Sequence, residues 1–263
     1  MTQLHADSVK KVIQTRLLGS VVHYWDEVDS TNAALVRMLR TGAEEGTVVI
    51  ADRQTAGRGR VGKPWFSPPG VNLYLSVLMK PAIPIADAHF YTLIGSLAIV
   101  DALANYDVSA QVKWPNDVIL KDKKIAGVLS EIQIANGHLD SLILGVGINV
   151  NISRNDMNQQ YSDAASGATS LIEVLGRPVD RNVLAARILE NLERRHFQFL
   201  AHGKQSVVAE WRSCSFLGRR VSINEGGIQV EGIAINLDDE GCLVVTLDDG
   251  STAHVREGEV LLA

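Results

Sequence analysis

Lys113-Trp114-Pro115-Asn116-Asp117-Val118-Ile119-Leu120, then Lys124-Ile125-Ala126-Gly127, then Gly145-Val146-Gly147-Ile148-Asn149: the reading of this stretch decides the fold. Its apolar runs are short, rich in Val, Ile and Leu, and broken by Pro, Asn, Asp and Gly. Gln111–Trp114, Val118–Leu120, Lys124–Ile134 and Leu139–Asn149 therefore read as strands. Asn136-Gly137 supplies a hairpin turn between the last two. Gly127, Gly145 and Gly147 weaken such strands unless a ligand or another backbone must come close. Lys113, Asn116, Asp117 and Lys124 sit at the strand ends, so cations, an amide and one carboxylate are mounted beside a sheet.

Upstream, Val9, Val12, Ile13 and Leu17 give helical spacing over 8–18, with Asp7 or Ser8 as cap, and Val21–Trp25 reads as a strand. Asp29-Ser30-Thr31-Asn32 offers N-cap side chains to a helix carrying Ala33, Ala34, Leu35, Met38 and Leu39 and stopped at Gly42. Thr47–Ala51 and Asn72–Met79 are strands around a Gly- and Pro-rich loop over 52–70, and 86–104 is helical. Downstream, a polar loop over 151–167 precedes helices in 169–175, 180–202 and 205–213. From 216 the pattern changes to short alternating segments (Arg220–Ile223, Ile228–Ile235, Cys242–Thr246, His254–Val255) between Gly-containing turns, the signature of a small antiparallel barrel. The expected fold class is α+β: a mixed sheet flanked by helices over 1–213 and a small β-barrel over 214–263.

With 46% hydrophobic residues the chain can bury a sizeable core, and a net charge of −5 argues against a surface that seeks nucleic acid. Cys214 and Cys242 form neither a metal spacing nor a disulfide framework. No metal-ligand set is read. No stretch reads as a signal peptide or as the ~20 apolar residues of a membrane span, so a cytoplasmic protein is expected.

Gln54-Thr55-Ala56-Gly57-Arg58-Gly59-Arg60-Val61-Gly62-Lys63 imitates two phosphate motifs. A dinucleotide fingerprint needs a helix to start at its glycines, which Lys63-Pro64-Trp65-Phe66-Ser67-Pro68-Pro69 cannot make. A P-loop needs Ser or Thr where Pro64 stands. What remains is a glycine-rich loop whose Arg58, Arg60 and Lys63 can fold over an anion, or form a solvated basic surface.

Ser30-Thr31-Asn32, Gln54 through Gly57-Arg58-Gly59-Arg60 to Trp65, Lys113-Trp114-Pro115-Asn116-Asp117, Lys124-Ile125-Ala126-Gly127 and Gly145-Val146-Gly147-Ile148-Asn149 occur in this order. In that combination the chain resembles the biotin–protein ligases over roughly 20–263. The resemblance implies a class II synthetase-like catalytic domain followed by an SH3-like barrel. It also implies the reaction: biotin and ATP give biotinyl-5′-AMP, and a lysine of a biotin carboxyl carrier domain then takes the biotinyl group. Mg²⁺ accompanies the nucleotide.

Roles follow where the motifs match. Ser30, Thr31, Asn32 and Gln54 resemble the polar contacts to biotin's ureido ring, although 30–32 alone reads equally as a helix cap. Arg58, Gly59 and Arg60 resemble the loop that closes over biotin and the adenylate, and Gly127 lies at the biotin site. Lys124 matches the lysine beside the biotin carboxylate and α-phosphate, with Lys113 as a second cation. Trp65 resembles the aromatic against adenine, Asn149 a nucleotide contact, and Asn116 a shaper of the phosphate site. Asp117 is assigned to the second step, as base or positioner of the acceptor amine. The catalytic set is thus Lys124, Asp117 and Arg60. Lys63 stands where the family commonly has Arg, and is left out of the site.

Three rivals bound this reading. A lipoate or octanoate ligase or transferase would leave the polar Ser30-Thr31-Asn32/Gln54 set unpaired against an aliphatic chain. A non-catalytic biotin-binding protein would need neither Asp117 nor Lys124. A DNA-binding repressor is expected to need more than the 29 residues before Ser30. The sheet edge offers strand addition to a carrier domain or to a second copy, leaving a homodimer open.

Overall fold

The computed structural model describes residues 3–161 and 167–262. A seven-stranded sheet forms its body, in the order β1 (Val22–Val28), β2 (Val48–Gln54), β3 (Leu73–Met79), β7 (His138–Ile148), β6 (Lys123–Ala135), β5 (Asp117–Leu120), β4 (Gln111–Lys113). β1 and β2 are parallel and the other pairings antiparallel, so the sheet is mixed as expected. A second, five-stranded antiparallel sheet runs β11 (Thr252–Val255), β10 (Leu243–Leu247), β9 (Ile228–Leu237), β8 (Arg220–Glu225), β12 (Glu259–Leu262). It is the SH3-like element of the fold.

Alternation along the strands divides the large sheet into two faces. Leu73, Leu75, Val77 and Met79 of β3 and Leu142, Leu144, Val146 and Ile148 of β7 enter the main core. There they meet α1 (Ala6–Val12), α3 (Phe90–Ala104), α6 (Arg181–His202) and α7 (Lys204–Ser213). On the opposite face α2 (Thr31–Arg40) packs Ala34 and Leu35 on Val49, Leu78 and Ile143. Complete burial of a side chain such as Leu35 contributes about 1.5–3 kcal/mol. The positions of β3, β6 and β7 left on that face beyond α2 are Tyr74, Ser76, Gly127, Leu129, Glu131, Gly145 and Gly147, by the same alternation. The site is built on them.

Three segments differ from the sequence reading. The first helix ends at Val12 rather than 18, because the Glu193 carboxylate takes the backbone N–H groups of Arg16, Leu17 and Leu18 and holds them in a turn. Within the expected loop 151–167, α4 (Arg154–Tyr161) is helical, anchored by the buried Met157, while 162–166 lies outside the described residues. And 85–104 is, against expectation, long and apolar enough to cross a membrane. Most of it is buried against α6, α7 and the sheet, which makes it the central core helix. α5 (Leu171–Leu175) completes the elements, and Cys214 and Cys242 are both free thiols.

Candidate active site

A cavity of about 160 Å³ opens on the α2 face of the large sheet. Every residue assigned to the site from sequence lines it except Asn149: Ser30, Thr31, Asn32, Gln54, Arg58, Gly59, Arg60, Trp65, Lys113, Asn116, Asp117, Lys124 and Gly127. Lys63, set aside on sequence, lines it too, as does Gly258–Val260 of the small sheet.

The floor explains the glycines. Gly127 and Gly147 are directly paired across β6 and β7, and the Trp65 indole packs against both. A Cβ at Gly147 would stand 2.5 Å from the indole, and one at Gly127 3.1 Å away. At Gly145 a Cβ would come within 2.3 Å of Asn32 Oδ1. At Gly145 and Gly147 only hydrogen leaves room, and at Gly127 the neighbours would have to give, so three missing side chains let Asn32 and Trp65 close down on the sheet.

One end is a hydrogen-bond network of amides and hydroxyls, bounded on one side by the Glu131 carboxylate. Ser30 occupies the N-cap position of α2 with an extended backbone, but its hydroxyl makes no capping bond. The helix-cap reading of 30–32 therefore fails for that hydroxyl. Instead Gln54 Oε1 accepts the Thr31 N–H at 2.9 Å, while Gln54 Nε2 donates to Ser67 Oγ at 2.9 Å. Asn32 Nδ2 faces two acceptors, Glu131 Oε2 at 2.6 Å and Leu129 O at 3.4 Å, which fixes the amide's orientation. Its Oδ1 then takes the proton of Ser76 Oγ at 2.5 Å, and Ser76 also meets Thr31 Oγ1 at 2.7 Å. Ser76 and Glu131 were missed on sequence. A lone hydroxyl in the apolar run Leu73–Met79 was the available signal for the first, since a buried polar group needs a partner.

The other end is charged. The Asp117 carboxylate is buried between two ammonium groups, Lys124 Nζ at 2.6 Å and Lys113 Nζ at 3.4 Å. The Lys124 contact is an ion pair without the directionality of a hydrogen bond, since Oδ1 has no well-aligned donor. Lys124 Nζ also stands 5.2 Å from the centre of the Trp65 ring, a cation–π contact. Lys113 Nζ donates to Val260 O at 3.0 Å, which ties this end to the small sheet. Asn116 Nδ2 donates to Val128 O at 3.0 Å.

Residues 57–65 form a strap over the cavity. Trp65 N donates to Gly57 O, Gly59 N to Lys63 O, and Arg58 pairs with Pro64 as an isolated bridge, so the strap bonds to itself. Val61 at its tip is 89% exposed and has φ 52° and ψ 36°, an unfavourable region for a β-branched residue. Arg60 Nη1 donates to Gly258 O at 3.3 Å, and Lys63 pairs closely with Glu259. Burial pushes the Arg60 guanidinium below its ordinary pKa, with Asp117, Glu257 and Glu259 pulling the other way. Asn149 lies behind this assembly, with Nδ2 donating to Thr169 O at 3.1 Å and Oδ1 unpartnered among the described residues.

A cavity with an amide-and-hydroxyl end and a two-lysine end, on this sheet, defines a class of acyl ligase. The Biotin/lipoate A/B protein ligase family matches residues 24–149, and the Biotin protein ligase C terminal domain matches 216–262. The biotin–[acetyl-CoA-carboxylase] ligase of Mycobacterium tuberculosis is 34% identical, over 90% of this chain and 89% of that one. The bifunctional ligase/repressor BirA of Bacillus subtilis is 31% identical, over 94% of this chain and 76% of the relative. Among solved structures, the Aquifex aeolicus biotin protein ligase in complex with biotin and ATP superposes with a TM-score of 0.79 at 29% identity, covering 93% of this chain and 99% of that one. The chain belongs to the biotin protein ligase family.

Proposed function

We propose that this chain joins biotin to a carrier-domain lysine at the expense of ATP, in the cavity between Asn32 and Lys124. The observation that carries the reading is the polarity of that one cavity. A ureido ring, with two N–H donors and one carbonyl acceptor, matches the neutral end built from Ser30, Thr31, Asn32 and Gln54. A carboxylate and a triphosphate match the end with Lys113, Lys124 and the strap arginines.

In the first step a biotin carboxylate oxygen attacks the α-phosphorus, a P–O bond forms, and pyrophosphate leaves. Lys124, with Arg58, Arg60 and Lys113 around it, stabilises the charge that develops there. The strap, with Trp65 as its aromatic wall against adenine, keeps water from the anhydride. In the second step a neutral lysine amine attacks the acyl carbon and AMP departs as the C–O bond breaks. A free lysine has a pKa near 10.4, so about 5 kcal/mol opposes the neutral form at pH 7. Asp117 is already engaged by two ammonium groups, so an incoming amine must compete with Lys113 or Lys124 for it. That favours Asp117 as a positioner of the amine rather than a free base.

Magnesium enters with the nucleotide. No group of three His, Cys, Asp or Glu converges among the described residues, so the donors fit a metal held chiefly by phosphate oxygens. Asn116, whose amide nitrogen is committed to Val128 O, would offer its carbonyl oxygen to that ion. The ion would add positive charge at the triphosphate. Asn149 is retained as an indirect nucleotide contact through the Thr169 segment. The acceptor is a biotin carboxyl carrier domain, the setting the cytoplasm, and the division between catalytic and barrel domains falls at 213/214. A carrier domain or a second copy would add a strand at the sheet edge.

Biotin-dependent exchange of labelled pyrophosphate into ATP, run beside lipoate and octanoate without acceptor, tests the reading. Exchange with biotin alone is expected. Exchange only with lipoate or octanoate would transfer the chain to the other branch of the family.

A further inference from the structure

We propose that Glu131, which touches neither reacting group, is a positioning residue that ties the buried amide end of the cavity to the strap. This inference rests on the ligase reading. Gly127, Leu129 and Glu131 share one face of β6; the first two line the cavity, and Glu131 stands at its rim beneath the strap. A single oxygen, Oε2, accepts from Asn32 Nδ2 at 2.6 Å and from Arg58 Nη2 at 3.1 Å. Asn32 is buried and cannot turn, because its other amide atom is held by Ser76. Arg58 is half-exposed and mounted on the strap. The carboxylate therefore joins a buried, fixed group to a half-exposed one.

At its far end the strap rests Trp65 on Gly127, Gly147 and Lys124 of the large sheet, while its middle runs the opposite way. Arg60 and Lys63 reach Gly258 and Glu259 of the small sheet. Among the described residues, the Arg58–Glu131 pair is the strap's ion pair to the large sheet. Without it, the Arg58 arm of the strap loses its side-chain tie to the large sheet, which is then held to the strap by Trp65. Both partners of Oε2 are charge-assisted hydrogen bonds, so loss of the negative charge weakens both, and loss of the oxygen removes both. The fixed Asn32 sets the position of Oε2, and Oε2 sets that of Arg58. Glu131 acts through its neighbours and should govern how long a reactive intermediate is retained, not how fast it forms.

The experiment uses the full chain, ATP and labelled biotin without acceptor. It follows adenylate release in a trapping assay and biotin binding by calorimetry. Glu131→Gln keeps an acceptor for Asn32 but drops the charge that holds Arg58. Its adenylate release should quicken about three- to five-fold, the effect of losing a half-exposed ion pair, with biotin affinity within two-fold of wild type. Glu131→Ala should release equally fast and also bind biotin about ten-fold more weakly, because the buried Asn32 amide loses its close acceptor. Arg58→Ala combined with Glu131→Gln should leak no faster than the faster single variant.

Release from Glu131→Gln at the wild-type rate, or effects that multiply in the double variant, would overturn the proposal. Wild-type chain that binds biotin but forms no adenylate would sink the ligase reading instead. Unchanged biotin binding in Glu131→Ala would then still count against Glu131 on its own. Melting temperatures of the variants within a few degrees of wild type separate either result from unfolding.

Discussion

The two halves of the cavity are held by different physics. The amide end, Thr31–Asn32–Gln54–Ser76, is buried, uncharged and fully cross-bonded on a sheet and the start of a helix. The strap is exposed at its tip, carries a strained Val61, and is fixed by ion pairs to two different sheets. A buried network has its conformational cost met during folding, so it can discriminate between ligands by unpaired hydrogen bonds. Exposed ion pairs are individually weak and can be exchanged for a ligand's charges. On the proposed reading, selection of the acid falls to the first region and containment of the intermediate to the second.

Five substitutions would break or sharpen that contrast. Lys124→Ala, at the junction of the two regions, should lower biotin-dependent pyrophosphate exchange by about 10²–10³-fold, the cost of removing one group that stabilises transition-state charge. Near wild-type exchange would reduce Lys124 to a surface lysine. Asp117→Ala should slow transfer to the carrier lysine by about 10²-fold, in the range of a lost proton-transfer or positioning group, while exchange falls less. Equal losses in single-turnover assays of the two half-reactions would contradict the positioning role. Ser76→Ala leaves Asn32 Oδ1 and Thr31 without their shared partner and should raise the biotin Kd about ten-fold, with little effect on adenylate retention. Arg60→Gly is its mirror image. It should speed adenylate release several-fold, as expected for the loss of a part-buried hydrogen bond to Gly258 O, and a variant as retentive as wild type would remove Arg60 from the lid.

The smallest effect concerns how the amide end is mounted. The Arg37 hydrogen bond holds the Asp29 carboxyl down at about 2 against partial desolvation, and Asp29 Oδ1 accepts the Ser30 N–H at the start of α2. A depressed carboxylate contributes stability above its unfolded pKa and loses it as pH falls through the folded one. The contribution is thus complete above about pH 4 and disappears towards pH 2. Both side chains are about half-exposed, so Arg37→Ala should cost no more than ~1 kcal/mol at pH 7 and nothing at pH 2. Urea midpoints at the two pH values would decide it.

The sheet and the charged motifs were legible because their signals are local. Short β-branched runs, an Asn-Gly turn and glycines in strands mean the same wherever they occur. The first helix was overextended because what stops it, the Glu193 carboxylate, lies about 175 positions away in the chain. The α4 segment, Arg-Asn-Asp-Met-Asn-Gln-Gln-Tyr, was read as loop because its single apolar anchor, Met157, gives no periodicity. At the site, residue types that carry chemistry were found, and those that hold them were not. Glu131 is one charge within the strand Lys124–Ile134, and only the strand's register puts it on the face of Gly127. The small sheet's part in the cavity, through Gly258–Val260, depends on how two sheets meet and has no signature in either alone.

The paired glycines of the floor bear on how such chains diverge. Gly127 and Gly147 contribute no functional group, yet one added carbon at either would occupy space now filled by the Trp65 ring. A descendant that exchanged one of them could keep Lys113, Asp117, Lys124 and both strap arginines in register and still fold. It would carry every motif by which the activity is read and have its Trp65 wall displaced from the sheet. Inheritance of function in this fold is therefore recorded in two absent atoms as much as in the charged residues around them.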